Sequence, residues 1–283
     1  MRKNDHQFMG RFFILLIFFV AGLHSVVRAA NDNFPFGGRQ AGMGNAAVSL
    51  YDFWGISHNQ AGMARQQNPG AGFYFENRFL AREMSLGAGA FLMPAASGVL
   101  GLSLSYFGYS RYNESKIGIA YARSFSDRLS AGIQLNYLYT SIGEGYGSAG
   151  NFAVEMGVIY EILPDLHVGT HIFNPTKARI SSDEGYVDEY IPTILRFGFS
   201  YTFSERVLLS LETEKDIERD PVFKAGLEYQ LADGFYVRAG VGTNPTSNAF
   251  GFGLHTGRFR IDLSSSFHHV LGYSPQASFL VDF

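Results

Sequence analysis

The sequence predicts an all-β protein: a transmembrane antiparallel β-barrel of about fourteen strands with a short N-terminal plug segment. Three observations lead there. Apolar and polar residues alternate in segments of roughly ten. The connections between segments are by turns tight and longer. The chain also ends on an aromatic residue of an alternating segment.

Composition frames these observations. Of 283 residues, 46% are hydrophobic, 16% aromatic and only 17% charged, with 33 Gly. A soluble domain averages about 25% charged residues, so this chain is short of surface charge. A helical membrane protein would gather its apolar residues into runs of about 20. Beyond the N-terminus no segment resembles such a run. A sheet with one face in lipid accounts for both facts. The net charge of −3 points to no nucleic-acid partner. The absence of Cys excludes a disulfide scaffold, a thiol nucleophile, a thiolate metal site and a lipid-anchored N-terminal Cys.

Residues 1–29 read as a secretory signal peptide. Arg2, Lys3 and Arg11 give a basic start, Phe12 to Leu23 an apolar core, and Val27-Arg28-Ala29 a small-residue cleavage site. An exported chain without spanning helices can enter a membrane only as a closed barrel, because lipid leaves no other way to satisfy the backbone. The expected location is the outer membrane of a Gram-negative bacterium. Outer-membrane lipid and the barrel assembly machinery are then the expected partners.

Residues 30–70 do not alternate and are expected to form a plug or hatch inside the barrel. Gly37 to Gly44 is Gly-rich, which allows close backbone approach to the wall. A phosphate-loop reading fails, because no Lys-Ser/Thr follows and no strand precedes. Asn45 to Tyr51 reads as one or two helical turns capped by Asn45.

Residues 71–283 form the barrel. Its strands are expected at 71–79, 83–93, 98–108, 114–124, 128–140, 150–161, 165–173, 191–203, 206–214, 221–231, 234–243, 248–255, 258–268 and 274–283. The clearest puts Leu195, Phe197, Phe199, Tyr201 and Phe203 on one face, with Arg196, Gly198, Ser200 and Thr202 on the other. Tight turns fall at 94–97, 126–127, 163–165, 204–205, 232–234 and 256–257. The interleaved connections at 109–113, 141–149, 174–190, 215–220, 244–247 and 269–273 are mostly longer, as at the outer ends of bacterial barrels. Phe283, on the face of Ala277, Phe279 and Val281, is the candidate assembly signal.

The string GGRQAGMGNAAVSLYDFWGISHNQAGMA resembles the N-terminal segments of FadL-type hydrophobic-compound channels and of the PorV/PorQ proteins of the type IX secretion system. Those families open with Ala-Gly-Met-Gly, an acidic residue, and Asn-Pro-Ala-Gly-Leu/Met-Ala. The match falls on Gly42, Gly44, Asp52, Asn59 and Gly62, with Gln60 in place of the proline. A second stretch, Ile172 to Tyr201, is similar to a PorV/PorQ pattern, with Pro175 as a departure. The resemblance implies a barrel of fourteen strands.

Catalytic chemistry has little support. His167 and His171 share a strand face but stand roughly 13 Å apart along it, too far for one metal. Asp262, Ser264, Ser266 and His268 belong to one strand and form a ladder, not a converging site. No catalytic residue, cofactor or metal ligand is expected. Arg196, Glu212, Lys224, Glu228, Arg238, Arg258, Arg260 and Asp262 are read as charges facing the lumen, while strands near 85–122 and 248–255 point Gly, Ala and Ser inward. Mixed charge on one wall and small residues on another predict an interior filled by ion-paired side chains and the N-terminal segment.

Two functions follow from the resemblance. A PorV/PorQ-like protein would be a non-enzymatic accessory of protein secretion or surface cargo handling, with secretion components or secreted cargo as partners. A FadL-like protein would take up small hydrophobic ligands. The match at Ile172–Tyr201 favours the first. A continuous apolar tunnel would favour the second, and a filled lumen the first.

Overall fold

A computed structural model of the chain describes residues 33–143, 147–181 and 188–283. The signal peptide expected at 1–29 lies outside the described residues. Fourteen strands close into one antiparallel barrel. They are β1 (Gly70–Asn77), β2 (Ser85–Ala95), β3 (Gly98–Tyr109), β4 (Tyr112–Ser124), β5 (Leu129–Ile142), β6 (Gly147–Leu163), β7 (Leu166–Phe173), β10 (Ile194–Phe203), β11 (Val207–Asp216), β12 (Val222–Ala232), β13 (Phe235–Gly242), β14 (Ser247–Thr256), β15 (Phe259–His268) and β16 (Gly272–Asp282). A small hairpin, β8 (Arg179–Ser181) and β9 (Asp188–Tyr190), belongs to the connection between β7 and β10. Closure runs through β1, where Phe73 lies opposite Gly89 of β2 and Phe279 of β16.

Alternation decides which face each residue takes. On β10, Phe197 is 52% and Phe199 42% exposed, while Arg196 is 3% and Ser200 1% exposed. Large apolar residues stand outward in the same way on β3, β5, β12, β14 and β15. An apolar surface of that extent is untenable in water and natural in hydrocarbon. No helix among the described residues is long and apolar enough to cross a membrane.

Several boundaries move. Pairing between β3 and β4 continues to Tyr109 and Tyr112, so the connection expected at 109–113 shrinks to Ser110-Arg111. The turn expected at 256–257 is Gly257-Arg258, with Gly257 in the left-handed region at φ +56°. That one-residue shift corrects Arg258: it sits exposed in a turn and does not face the lumen. The longest connection, after β7, is folded inward. Its Ile180 and Ile191 are buried against Leu138, Ala153 and Phe173, and Asn174 donates to the Ile191 carbonyl at 2.8 Å.

Residues 33–64 lie within the barrel, and 65–69 lead out to β1 with Arg65, Gln67 and Asn68 exposed. They include two short helices, α1 (Gly38–Gly42) and α2 (Gly55–His58), and a 3-10 segment at Gln60–Arg65, with irregular chain between them that is buried as well. The helical turns expected at Asn45–Tyr51 are absent. Asn45 takes φ 59°, which an N-cap cannot, and the following Ala47 and Val48 N–H groups donate to Glu212 on the wall instead. The backbone approaches the wall closely on opposite sides. A Cβ at Gly157 of β6 would stand 1.9 Å from Asn59 Oδ1, and one at Gly240 of β13 2.2 Å from the Gly44 nitrogen. Glycine is the residue that permits both approaches.

Candidate functional site

Inside the barrel the two materials separate. An apolar cluster joins Phe36, Phe53, Trp54, Ile56 and Met63 of the segment to Tyr74, Leu86, Leu92, Val99 and Leu280 of the wall. The wall expected to be lined by Gly, Ala and Ser thus also carries Leu and Val, which the segment covers. Most of the buried charges lie on β10 to β15, with a further group on β4, β6 and β7.

Three ion-paired groups hold the segment. In the first, Arg39 forks onto Glu228 at 2.9 and 2.7 Å and reaches Asp52 at 2.7 Å. Arg238 joins the same Glu228 at 2.6 Å and Asp262 at 2.7 Å. In the second, Lys224 bridges Glu212 at 3.0 Å and Glu214 at 2.9 Å, and Arg196 meets Glu214 at 2.6 Å. In the third, buried Glu155 accepts from Lys116 at 2.8 Å, Asn136 at 2.8 Å and Gln60 at 3.0 Å, with His171 Nε2 at 3.1 Å. Arg260 pairs with Asp282 near the short-turn end, apart from these groups.

The residues singled out in the N-terminal string have defined places. Gly42 packs on Gly251 of β14, and Gly44, at φ +66°, lies against the backbone of Val241. Asp52 accepts from Arg39 and from the Trp54 N–H at 2.8 Å. Burial alone would raise its carboxyl, but the Arg39 guanidinium and that N–H hold it below the ordinary carboxylate range. The Asn59 amide donates to the Val48 carbonyl at 2.6 Å, and its oxygen accepts from Ala61 N–H at 3.1 Å. Gly62 leaves room for the Leu50 carbonyl, which a Cβ would meet at 2.4 Å. Phe283 lies exposed just beyond β16, its N–H donating to the Pro69 carbonyl at 2.8 Å.

Sequence reasoning missed Arg39, Lys116, Glu155 and Glu214. Arg39 had a visible signal as the one cation in a Gly-rich run with an acid downstream. Glu155 had one as a carboxylate on the parity opposite to Met156 and Val158. His58, the last residue of α2, is a further titratable group of the segment. It is buried, and burial, reinforced by Arg196 and Lys224, pushes its imidazole down to about 3, so it is neutral.

Above the segment, at the end with the longer connections, a cavity of about 900 Å³ opens. Phe34, Pro35, Phe79, Met84, Phe107 and Ile194 line it together with the upper ion pairs. A second hollow of about 660 Å³ lies on the outer wall of β10 to β13, bounded by Phe197, Phe199, Leu211, Phe223 and Val241. The two share Lys224, Gly242, Thr243 and Ser247 at the rim.

No family model matches the chain, and no curated protein does. Solved structures do. The monoaromatic hydrocarbon channel CymD superposes with TM-score 0.64 at 14% identity, over 90% of this chain and 99% of that one. The toluene transporter TodX of P. putida gives 0.65 at 12%, over 89% and 99%. A FadL homologue of Pseudomonas aeruginosa gives 0.62 at 13%, over 88% and 98%. The fold is that of FadL-type outer-membrane barrels. At such identities the likeness carries the fold alone. The PorV/PorQ resemblance finds no support in these superpositions.

Proposed function

We propose that the chain is an outer-membrane channel for small hydrophobic molecules, with residues 30–70 as its plug and 71–283 as its barrel. The observation that carries this reading is the mouth cavity, where Phe34, Phe79, Phe107 and Met84 offer apolar walls to a solute arriving from outside. Phe34 belongs to the plug, so the solute would touch the element that closes the lumen. The outer hollow, adjoining the same rim, supports the reading further, since an apolar solute gains little by staying in water. The proteins named above, described as toluene and monoaromatic hydrocarbon channels, agree with it.

The lumen below the cavity is filled, and that, with the Ile172–Tyr201 pattern, is what remains for an accessory role in secretion. Uptake separates the two. Cells expressing the protein should take up toluene faster than cells without it. Unchanged uptake, together with secreted cargo copurifying from native membranes, would reverse the choice. Phe283 as assembly signal is part of the same proposal, and its deletion should lower the amount of assembled barrel.

A further inference from the structure

We propose that Phe34 and Phe107 form a subsite for an uncharged aromatic ring at the mouth, a subsite that the Arg78 guanidinium occupies until the solute arrives. The inference deepens the channel reading and rests on it for the solute's origin. The two rings lie 5.0 Å apart at 45°. The Arg78 guanidinium carbon stands 3.6 Å from the centre of Phe34 and 5.3 Å from that of Phe107. A guanidinium is flat with apolar faces, so the surface it covers also fits a single ring. Two of its N–H groups reach Glu76, each at 3.3 Å, so the carboxylate and the two rings together seat it. All four residues line the cavity of about 900 Å³, which has room for Arg78 to swing aside.

Charge on the same walls selects against acids. The cavity's cations among the described residues are Arg78, Arg196, Arg219 and Lys224. Each has a carboxylate nearby: Glu76 at 3.3 Å, Glu214 at 2.6 Å, Asp216 at 3.6 Å, and Glu212 and Glu214 at 3.0 and 2.9 Å. Glu114 and Asp220 add further negative charge to the lining. A carboxylate solute would have to take a cation from its partner and sit beside the acid left behind, which is costly in a partly desolvated site. An uncharged ring has neither cost.

The test uses the full mature chain in lipid nanodiscs and fluorine NMR of two probes with the same ring, fluorobenzene and para-fluorobenzoate, with empty nanodiscs subtracted. At neutral pH fluorobenzene should bind saturably and para-fluorobenzoate about tenfold more weakly or not at all. Phe107→Ala and Phe34→Leu should each weaken fluorobenzene by about three- to tenfold, and Arg78→Gln, which clears the rings, should tighten it. Phe34→Leu keeps an apolar side chain in the plug, so its folding is secure, and heat-modifiable migration checks each variant. Equal binding of the two probes, or ring variants that bind like the parent, would overturn the subsite. The channel reading fails separately. If fluorobenzene binds in this ring-dependent way but vesicles carrying the protein admit none, the subsite stands and the channel falls. If vesicles admit it equally through both ring variants, with binding unchanged, the channel stands and the subsite falls.

Discussion

Arg39 uses its whole fork inside the barrel, two N–H groups on Glu228 and a third on Asp52, so one side chain ties the N-terminal segment both to itself and to β12. Removing it leaves the buried Asp52 carboxylate without a cation and Glu228 with Arg238 as its remaining partner. Arg39→Ala should loosen the docked segment by about 3–5 kcal/mol, while Arg39→Lys, which cannot fork, should recover only part of this. Single-channel recordings read the loss as openings that the parent lacks. His58 gives the segment a pH dependence. Its docked pKa of about 3 lies below the ordinary 6.5, so between these values the released segment takes up a proton that the docked one refuses. Docking therefore weakens by about 1.4 kcal/mol per pH unit as pH falls from 6.5 toward 3. Asp52 acts with the same sign at lower pH, since its carboxyl is held below the ordinary range while docked. Conductance should stay near nothing at neutral pH and rise in acid, and His58→Gln should move the onset to more acidic solution. An onset unmoved by that variant would remove His58 from the account.

Strands were the most legible elements, because a period of two is written in adjacent residues and needs no knowledge of the partner. On β10 the faces of Phe197 and Arg196 follow from parity alone. The lipid face can be tested there. Phe197→Arg should cost about 2–4 kcal/mol near the bilayer midplane. Gly198→Arg should fail for another reason, since even a Cβ would meet the Leu211 carbonyl at 2.4 Å and Val48 at 2.8 Å. Arg at the half-buried inward Thr202 should be tolerated, and refolding titrations of the three variants would rank them. Turn ends were less legible. Whether Thr256 or Arg258 shares the turn with Gly257 depends on how far two strands keep pairing, and here Thr256 stays in β14 while Arg258 leaves the wall. Irregular elements were least legible. Asn45 carries the right side chain for a cap, but the chain turns left-handed there, and Glu212, distant in sequence, claims the Ala47 and Val48 N–H groups that a cap would serve. The Lys116–Glu155–His171 group likewise assembles from β4, β6 and β7, so only the closed sheet brings it together.

The whole molecule is a closed sheet around a core that the sheet does not need for its backbone. Each of the fourteen barrel strands pairs with a strand on either side, and the ladder between β1 and β16 completes the ring. The ladder itself is backbone to backbone, and the N-terminal segment adds to it only from the side, through the Phe283 N–H on the Pro69 carbonyl, the Gly38 N–H on Ser278, Gln66 on Asp282, and packing against Tyr74 and Leu280. The segment instead fills space: it covers Leu86, Leu92 and Val99 on one side and shares Glu155, Glu212 and Glu228 on the other. Deleting residues 37–64 should therefore leave a barrel that still assembles and still migrates differently when boiled. Water entering the lumen would solvate the released carboxylates, so the charged wall loses little. The apolar wall would face that water, so thermal stability should fall. Conductance should rise from near nothing to a measurable value, and hydrophobic probes should pass without selection, since the floor beneath the mouth cavity is gone. Were the protein a secretion accessory, permeability would rise in the same way, while any secretion defect would follow the connection at Asn174–Tyr190. A deleted protein that never assembles would make the segment part of the folding core, and residues 30–70 could no longer be described as a plug.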